Sequence, residues 1–312
     1  MRSMTPTQEQ PVQPKLAATV LLFRDTGAAV EVLLVRRHAA IAFMGGIWVF
    51  PGGKLEPADM SPPALARVPA EARRRCEAWV AQAARPCSAE QALGLYIAAC
   101  RETFEEAGLL LAHGTGGARC TSEHVARLQP ERERIAREPA AFAEMLERED
   151  LLLDAALIPW AHWVTPSAER IRFDARFFAG AVPADHGVTL DVTESTHHAW
   201  MPPSEALAAY ACGEIVLAGP TIVTLSEAAA SLEEHGSLRA MLAAEDGRPI
   251  APVIPKLRWE GDVVMAYQPW DPEYDAIPGE GVPAGVAMPE RMRRFPSRMP
   301  LPHAEKRVVR PT

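Results

Sequence analysis

The stretch Arg101-Glu102-Thr103-Phe104-Glu105-Glu106-Ala107-Gly108-Leu109 governs how the rest of this chain is read. It closes an apolar run that begins near Ser88, in which Leu93, Tyr96, Ile97, Cys100 and Phe104 recur at helical spacing. Ser88 with Gln91 three residues on has the spacing of a capping box, and Gly108 stands where a left-handed residue ends a helix. Residues three and four apart share a helix face, so Glu102, Glu105 and Glu106 converge. Three carboxylates so placed repel one another unless something neutralises them. A hard divalent cation such as Mg²⁺ takes carboxylate oxygens and leaves positions for water and phosphate. Arg101, four residues before Glu105, can hold that carboxylate in place. Taken alone, the cluster also fits a solvated acidic helix end.

The upstream sequence decides between the two. Phe50-Pro51-Gly52-Gly53-Lys54-Leu55-Glu56 sets paired glycines after an apolar strand, where backbone can approach a ligand or metal because no Cβ intervenes. Together the two segments resemble the signature of the Nudix hydrolases, G-x5-E-x7-R-E-U-x-E-E-x-G-U. Gly53 fits the first glycine, and Asp59, six residues on, stands where that family has Glu. Arg67 falls at the next required spacing but is followed by Val68-Pro69, which cannot continue the pattern. The second half starts at Arg101, 34 residues later. A box split in this way resembles the branch similar to the peroxisomal diphosphatases of coenzyme A and its esters.

That resemblance implies an α/β fold: a Nudix α/β/α sandwich with a mixed sheet, helical insertions and a C-terminal extension. It implies Mg²⁺ or Mn²⁺ held by Glu102, Glu105 and Glu106 with the Gly53 carbonyl, Arg101 in the catalytic site, and either Glu102 or Glu194 as general base. Asp59, shorter than the usual Glu, is the weaker candidate. The implied reaction is attack of water on a diphosphate, with coenzyme A or acyl-CoA the favoured substrate. ADP-ribose, dinucleotides and nucleoside triphosphates remain alternatives, as does a non-catalytic ligand sensor, although all three box glutamates are kept. In the related branch the segment before Phe-Pro-Gly-Gly recognises coenzyme A, and Arg36, Arg37 and Phe43 fall there. Nudix proteins are often homodimers.

Arg170 to Phe178 alternates: Ile171, Phe173, Ala175 and Phe177 point one way, and Arg170, Arg172, Asp174 and Arg176 the other. Three arginines on one strand face need something anionic opposite, either Asp/Glu partners or a substrate phosphate. Arg172 and Arg176 are therefore candidate substrate contacts, and the same segment resembles an Arg-Phe-Asp-x-Arg-Phe-Phe strand of that branch. His197-His198 are successive residues on a strand, face opposite ways, and make a poor metal pair.

Composition narrows the classes. With 312 residues and 48% hydrophobic content the chain has ample material for a core, and its net charge of −8 argues against a nucleic-acid or anionic-membrane footprint. No apolar run approaches a membrane span, no signal-peptide segment opens the chain, and Val309-Arg310-Pro311-Thr312 is no S-K-L address, so the expected compartment is the cytoplasm. Five cysteines without a C-x-x-C pair suggest neither disulfide framework nor zinc site, and Cys100 reads as a packed thiol.

The expected organisation is a disordered lead over residues 1–14, a Nudix domain over 15–268, and a Pro-rich extension over 269–312. Inside the domain, 60–86 reads as a helical flap with its main helix from Pro69 to Arg85. Residues 121–157 read as a charged helical lobe. Strands are expected at Lys15–Arg24, Val30–Arg37 and Leu109–Ala112, and from Arg291 the tail reads as weakly structured.

Overall fold

A computed structural model describes residues 12–40, 44–118, 120–184, 186–190, 195–303 and 308. The first two expected strands are present and form a hairpin. Strands β1 (Lys15–Asp25) and β2 (Val30–Arg37) pair antiparallel, and the Gly27 N–H donates to the Asp25 carboxylate at 2.8 Å to close the turn. Short strands β3 (Trp48–Val49) and β4 (Gly52–Lys54) follow, then the insertion, folded as helices α1 (Pro62–Ala66) and α2 (Ala70–Gln82). Helix α3 (Ala89–Ala107) starts at the reciprocal Ser88–Gln91 capping box and stops at Gly108, whose φ is +69°.

Next come β5 (Ala112–Gly114), α4 (Ser122–Leu128), α5 (Glu131–Arg137), α6 (Ala140–Arg148) and β6 (Leu151–Leu153). Two expectations shift here. The strand after α3 lies at Ala112–Gly114 rather than Leu109–Ala112, because Leu109, Leu110 and Leu111 are buried in the core while pairing starts only where the partner strand reaches. Leu151–Leu153, expected to prolong the helical lobe, is that partner. Asp150, at φ +51°, ends the helical path and turns the chain back.

The chain then forms β7 (Ile158–Val164), β8 (Phe173–Ala181), β9 (Ser195–Met201), α7 (Pro203–Ala211), α8 (Gly219–His235) and α9 (Leu238–Glu245). It ends in β10 (Pro252–Val253), β11 (Lys256–Glu260), β12 (Val263–Tyr267) and β13 (Arg298–Pro300). The central sheet has the order β10-β7-β8-β1-β2-β3, with β4 also on β1 and β9 also on β2. It is mixed: β1 runs parallel to β8 and β7 to β10, while the other pairs are antiparallel.

Two-residue periodicity sorts the side chains between its faces. Ala18, Val20, Leu22, Leu33 and Phe178 pack beneath α2 and α3, and Leu21, Phe23, Leu34 and Phe177 pack against α8 and α9. The result is an α/β/α sandwich with one core on each face. No helix among the described residues is long and apolar enough to cross a membrane.

The extension departs from the expected loose tail. Strand β13 pairs with β12, and Met292 and Met299 are buried in the second core. Proline-rich composition obscured these anchors, which are single apolar residues spaced between the prolines rather than a periodic run.

Candidate active site

Strand β4 lies antiparallel to the start of β1, with Ala17 opposite Lys54 and Thr19 opposite Gly52, and this sets the glycine pair against the end of α3. Both glycines are needed for that approach. A Cβ on Gly52 would sit 2.2 Å from the Ala18 carbonyl oxygen, and one on Gly53 would sit 2.2 Å from the Glu102 carboxylate. The Gly52 N–H donates to Glu106 Oε2 at 3.0 Å, across 54 residues of sequence. The two halves of the interrupted box are therefore in direct contact.

Arg101 pins them. Only 2% exposed, its guanidinium donates from Nε to Asp59 Oδ1 at 2.8 Å and from one terminal nitrogen to Asp59 Oδ2 and the Lys54 carbonyl, both at 3.0 Å. The other terminal nitrogen donates to Glu102 Oε1 at 2.9 Å and Glu105 Oε1 at 2.7 Å. Burial opposes the Arg101 charge, but Asp59, Glu102 and Glu105 outweigh it and hold the group above its ordinary range. Asp59 is 1% exposed, grips Arg101 with both oxygens and accepts the Glu56 N–H at 2.9 Å. It serves as an anchor for Arg101; sequence reasoning saw its spacing and missed this pairing.

Glu105 and Glu106 occupy the last turn of α3, where the helix dipole disfavours negative charge by about 0.3–1 kcal/mol each. The helical lobe offsets this. Arg132 from α5 donates to the Glu105 carbonyl at 3.0 Å, and Gln129 donates to the Gly108 carbonyl at 3.0 Å. A helix end carrying acids thus gains basic and amide partners from a different element.

The donor set of Glu102, Glu105, Glu106 and the Gly53 carbonyl is all oxygen, which suits a hard cation and not zinc or copper. The missing Gly53 side chain leaves the backbone against the Glu102 carboxylate, the close approach such a set requires. Among the described residues, however, no group of three acidic, histidine or cysteine side chains forms a ready-made metal cluster. The carboxylates lean on Arg101 and Gly52 instead. The set fits such an ion in chemistry and position along the chain, and binding would have to draw oxygens together from these partners.

These acids line a cavity of about 860 Å³. Lys15, Arg37, Lys54, Arg170 and Arg172 bring positive charge to its walls, and Phe50, Trp163, Phe173, Phe177 and Met299 bring apolar surface. Arg36 lies outside this lining and donates from Nε to the Gly46 carbonyl at 3.3 Å. His197 and His198 are exposed on β9, also outside it. Glu194 and Phe43 lie outside the described residues.

The arginine face of β8 meets carboxylates. Arg172, which reaches the cavity, pairs with Glu280 and donates to the carbonyls of Val12 at 2.7 Å and Thr165 at 3.0 Å. Arg176 is 1% exposed, does not line the cavity, donates to Asp174 at 3.1 Å and lies over the Trp79 ring at 5.2 Å. Arg85, at the end of the insertion, joins Asp174 at 2.6 Å and Glu280 at 2.7 Å, so insertion, sheet and extension share one ionic network. His162 completes it, 2.8 Å from Asp174; burial pushes its pKa down to about 4. Burial also opposes the Asp174 charge, yet His162, Arg176 and Arg85 hold that carboxyl below the usual range. The alternation was readable from sequence, whereas the partners, Glu280 above all, come from segments that no local pattern connects. Cys100, read as a packed thiol, is fully buried, and burial raises its pKa well above the ordinary value.

Against known proteins, the family model described as the NUDT19 Nudix domain matches residues 13–227. Proteins named acyl-coenzyme A diphosphatase NUDT19 are similar: that of Xenopus laevis is 29% identical over 63% of this chain and 59% of its own length. The Gallus gallus protein is 30% identical over 62% of this chain and 60% of its own, and the Homo sapiens protein 30% over 61% and 58%. The match thus spans about three fifths of these relatives. A NUDIX hydrolase from Alicyclobacillus acidocaldarius, known by crystal structure, superposes with a TM-score of 0.57 at 25% identity, covering 76% of this chain and 99% of that one. With the split box closed on itself and the family pattern matched across most of the sandwich, the chain belongs to the NUDT19 Nudix domain family.

Proposed function

We propose that this protein is a divalent-metal-dependent hydrolase of coenzyme A or acyl-CoA, yielding adenosine 3′,5′-bisphosphate and 4′-phosphopantetheine or its acyl form. The observation that carries the reading is the row Glu102, Glu105 and Glu106 on the wall of a cavity that also presents basic and aromatic side chains. Mg²⁺ or Mn²⁺ held by those glutamates and the Gly53 carbonyl would supply charge neutralisation for the diphosphate and lower the pKa of a bound water. The activity named for the relatives supports the substrate class.

Each residue has a distinct task. Lys15, Arg37 and Arg170 attract the phosphates, and Arg172 shares that wall while tied to Glu280. Arg101 holds Glu102 and Glu105 in place and does not itself meet the reacting atoms. Glu102 or Glu194 takes the proton from the attacking water. The water oxygen bonds to phosphorus, the bridging P–O bond breaks, and the departing oxygen leaves on the second monophosphate. Arg36 and Arg176 have secondary parts in this scheme, Arg36 at the strand end beside the cavity and Arg176 behind its wall.

The test is steady-state hydrolysis by the purified protein, with Mg²⁺ or Mn²⁺, of coenzyme A, acetyl-CoA, ADP-ribose, NADH and nucleoside triphosphates. The expected result is the highest kcat/KM for coenzyme A or its ester, with the two monophosphates as products. A tenfold preference for ADP-ribose or a nucleotide, or no cleavage at all, overturns it.

A further inference from the structure

The cavity wall carries more positive charge than the folded chain neutralises. Arg101 and Arg172, which line it, both face carboxylates. Lys15, Lys54 and Arg170 line it as well, and all three are exposed. None of their side chains has a hydrogen-bond or ion-pair partner among the described residues. In a chain with 40 acidic and 32 basic residues, unmatched cations are not a matter of supply.

Backbone pairing fixes where these cations stand. Lys54 directly follows Gly53, and its own carbonyl is held by Arg101 at 3.0 Å. It lies opposite Ala17 on β1, so Lys15, two residues along, is its diagonal neighbour on the same sheet face, about 7–8 Å away. Lys15 lies beside Phe173 on β8, and its N–H donates to the Arg172 carbonyl at 2.9 Å, which brings Arg170, two residues upstream, to the same end of the sheet. The cations form a row that starts at the box and leads away from it along the sheet edge. Across the sheet from Lys54 the wall is different: the paired residues Ala17, Ala175 and Trp163 share a face, line the cavity and are uncharged.

A diphosphate seated at the glutamates needs positive charge at that point only. Cations that continue past it in one direction, beside a neutral wall in the other, match a substrate with a further anion on one side of the scissile bond and none on the other. We propose that Lys15 and Arg170 bind a phosphate monoester on the nucleotide half of the substrate, the 3′-phosphate of coenzyme A, with Lys54 between it and the diphosphate. Arginine offers that group a forked contact and lysine a point charge. This rests on the coenzyme A reading and deepens it. ADP-ribose and NADH lack the group, so the row selects coenzyme A and fixes its direction, nucleotide over the cations and the neutral pantetheine arm across Ala17 and Ala175. Lys15 and Arg170 are binding residues and take no part in the bond exchange.

Lys15→Gln, Arg170→Gln and the double variant are compared with the unmutated protein on coenzyme A and on 3′-dephospho-coenzyme A, which differ by that phosphate alone. The expected kcat/KM ratio favours coenzyme A by about 20-fold in the unmutated protein, falls by about fivefold in each single variant and approaches unity in the double variant, the effect of partly exposed charge-assisted contacts. A general structural loss cancels in this ratio. Arg239→Gln, which removes an exposed charge from α9 outside the cavity, should leave it unchanged. Calorimetry with adenosine 3′,5′-bisphosphate and with 5′-AMP reads the same preference without turnover. A ratio below about threefold in the unmutated protein, or a preference that survives in the double variant, overturns the proposal. If neither ester is cleaved while the bisphosphate still binds tighter than 5′-AMP through Lys15 and Arg170, the catalytic reading fails and the phosphate subsite stands.

Discussion

Replacing Arg101 by Met isolates the contact on which the split box depends. The substitution removes five hydrogen bonds and leaves Asp59, 1% exposed, with a carboxylate that has lost its counter-charge. Removing one partner of a buried ion pair costs about 3–5 kcal/mol, chiefly because the survivor stays desolvated. Glu102 and Glu105, 14% and 12% exposed, can turn toward water and add little. A domain of this size loses roughly 2 °C of midpoint per kcal/mol, so the expected drop is about 6–10 °C. Urea unfolding at pH 7 of Arg101→Met, Asp59→Asn and the double variant measures the coupling, expected above about 1.5 kcal/mol. Removing both partners should be less damaging than removing Arg101 alone. A single-variant cost below about 1 kcal/mol, or no coupling in the cycle, refutes the role assigned to this pair.

Other outcomes follow from the same geometry. Glu106→Gln keeps an acceptor for the Gly52 N–H, so its midpoint should move little while kcat on the best diphosphate falls by about 100-fold or more. Retained turnover removes Glu106 from the site. Gly53→Ala puts a methyl 2.2 Å from the Glu102 carboxylate, and the forced shift should cost about 1–3 kcal/mol and lower kcat by at least tenfold; activity equal to wild type shows that Glu102 has no fixed place. His162 is buried with its pKa pushed down to about 4, below its unfolded value, so the unfolded chain binds the extra proton. Its contribution is full above about pH 6.5 and lost as pH falls toward 4, by an amount on the order of 1–3 kcal/mol. His162→Gln should flatten urea-derived stability across that window; an unchanged slope assigns the acid sensitivity elsewhere.

Local physics explains what the sequence disclosed. Helix α3 carries its own start, stop and apolar period, so its span and the row of glutamates were readable at once. The β1–β2 pair was readable from two short, nearly continuous apolar runs separated by Asp25-Thr26-Gly27. Contacts made across long separations were not. Nothing near Asp59 announces that it grips Arg101 and nothing near Arg172 announces Glu280, because ion pairs leave no periodic trace. The extension was misjudged through composition: prolines mark irregular backbone, and irregular backbone can still be anchored by a few buried methionines.

The contact between Gly52 and Glu106 bears on how freely the interrupting segment can vary in length. Closing a flexible chain costs free energy only with the logarithm of its contour, so spanning 54 residues instead of the 20 left without the 34 extra ones costs about 1 kcal/mol more. The single buried guanidinium at the junction outweighs that severalfold. Closure entropy therefore sets little limit on the segment's length; the limit is its packed face, Ala64, Val68, Ala72, Cys76 and Trp79, together with Arg85 and its ionic partners, and tolerance is almost nil at the glycines and the arginine where the ends meet.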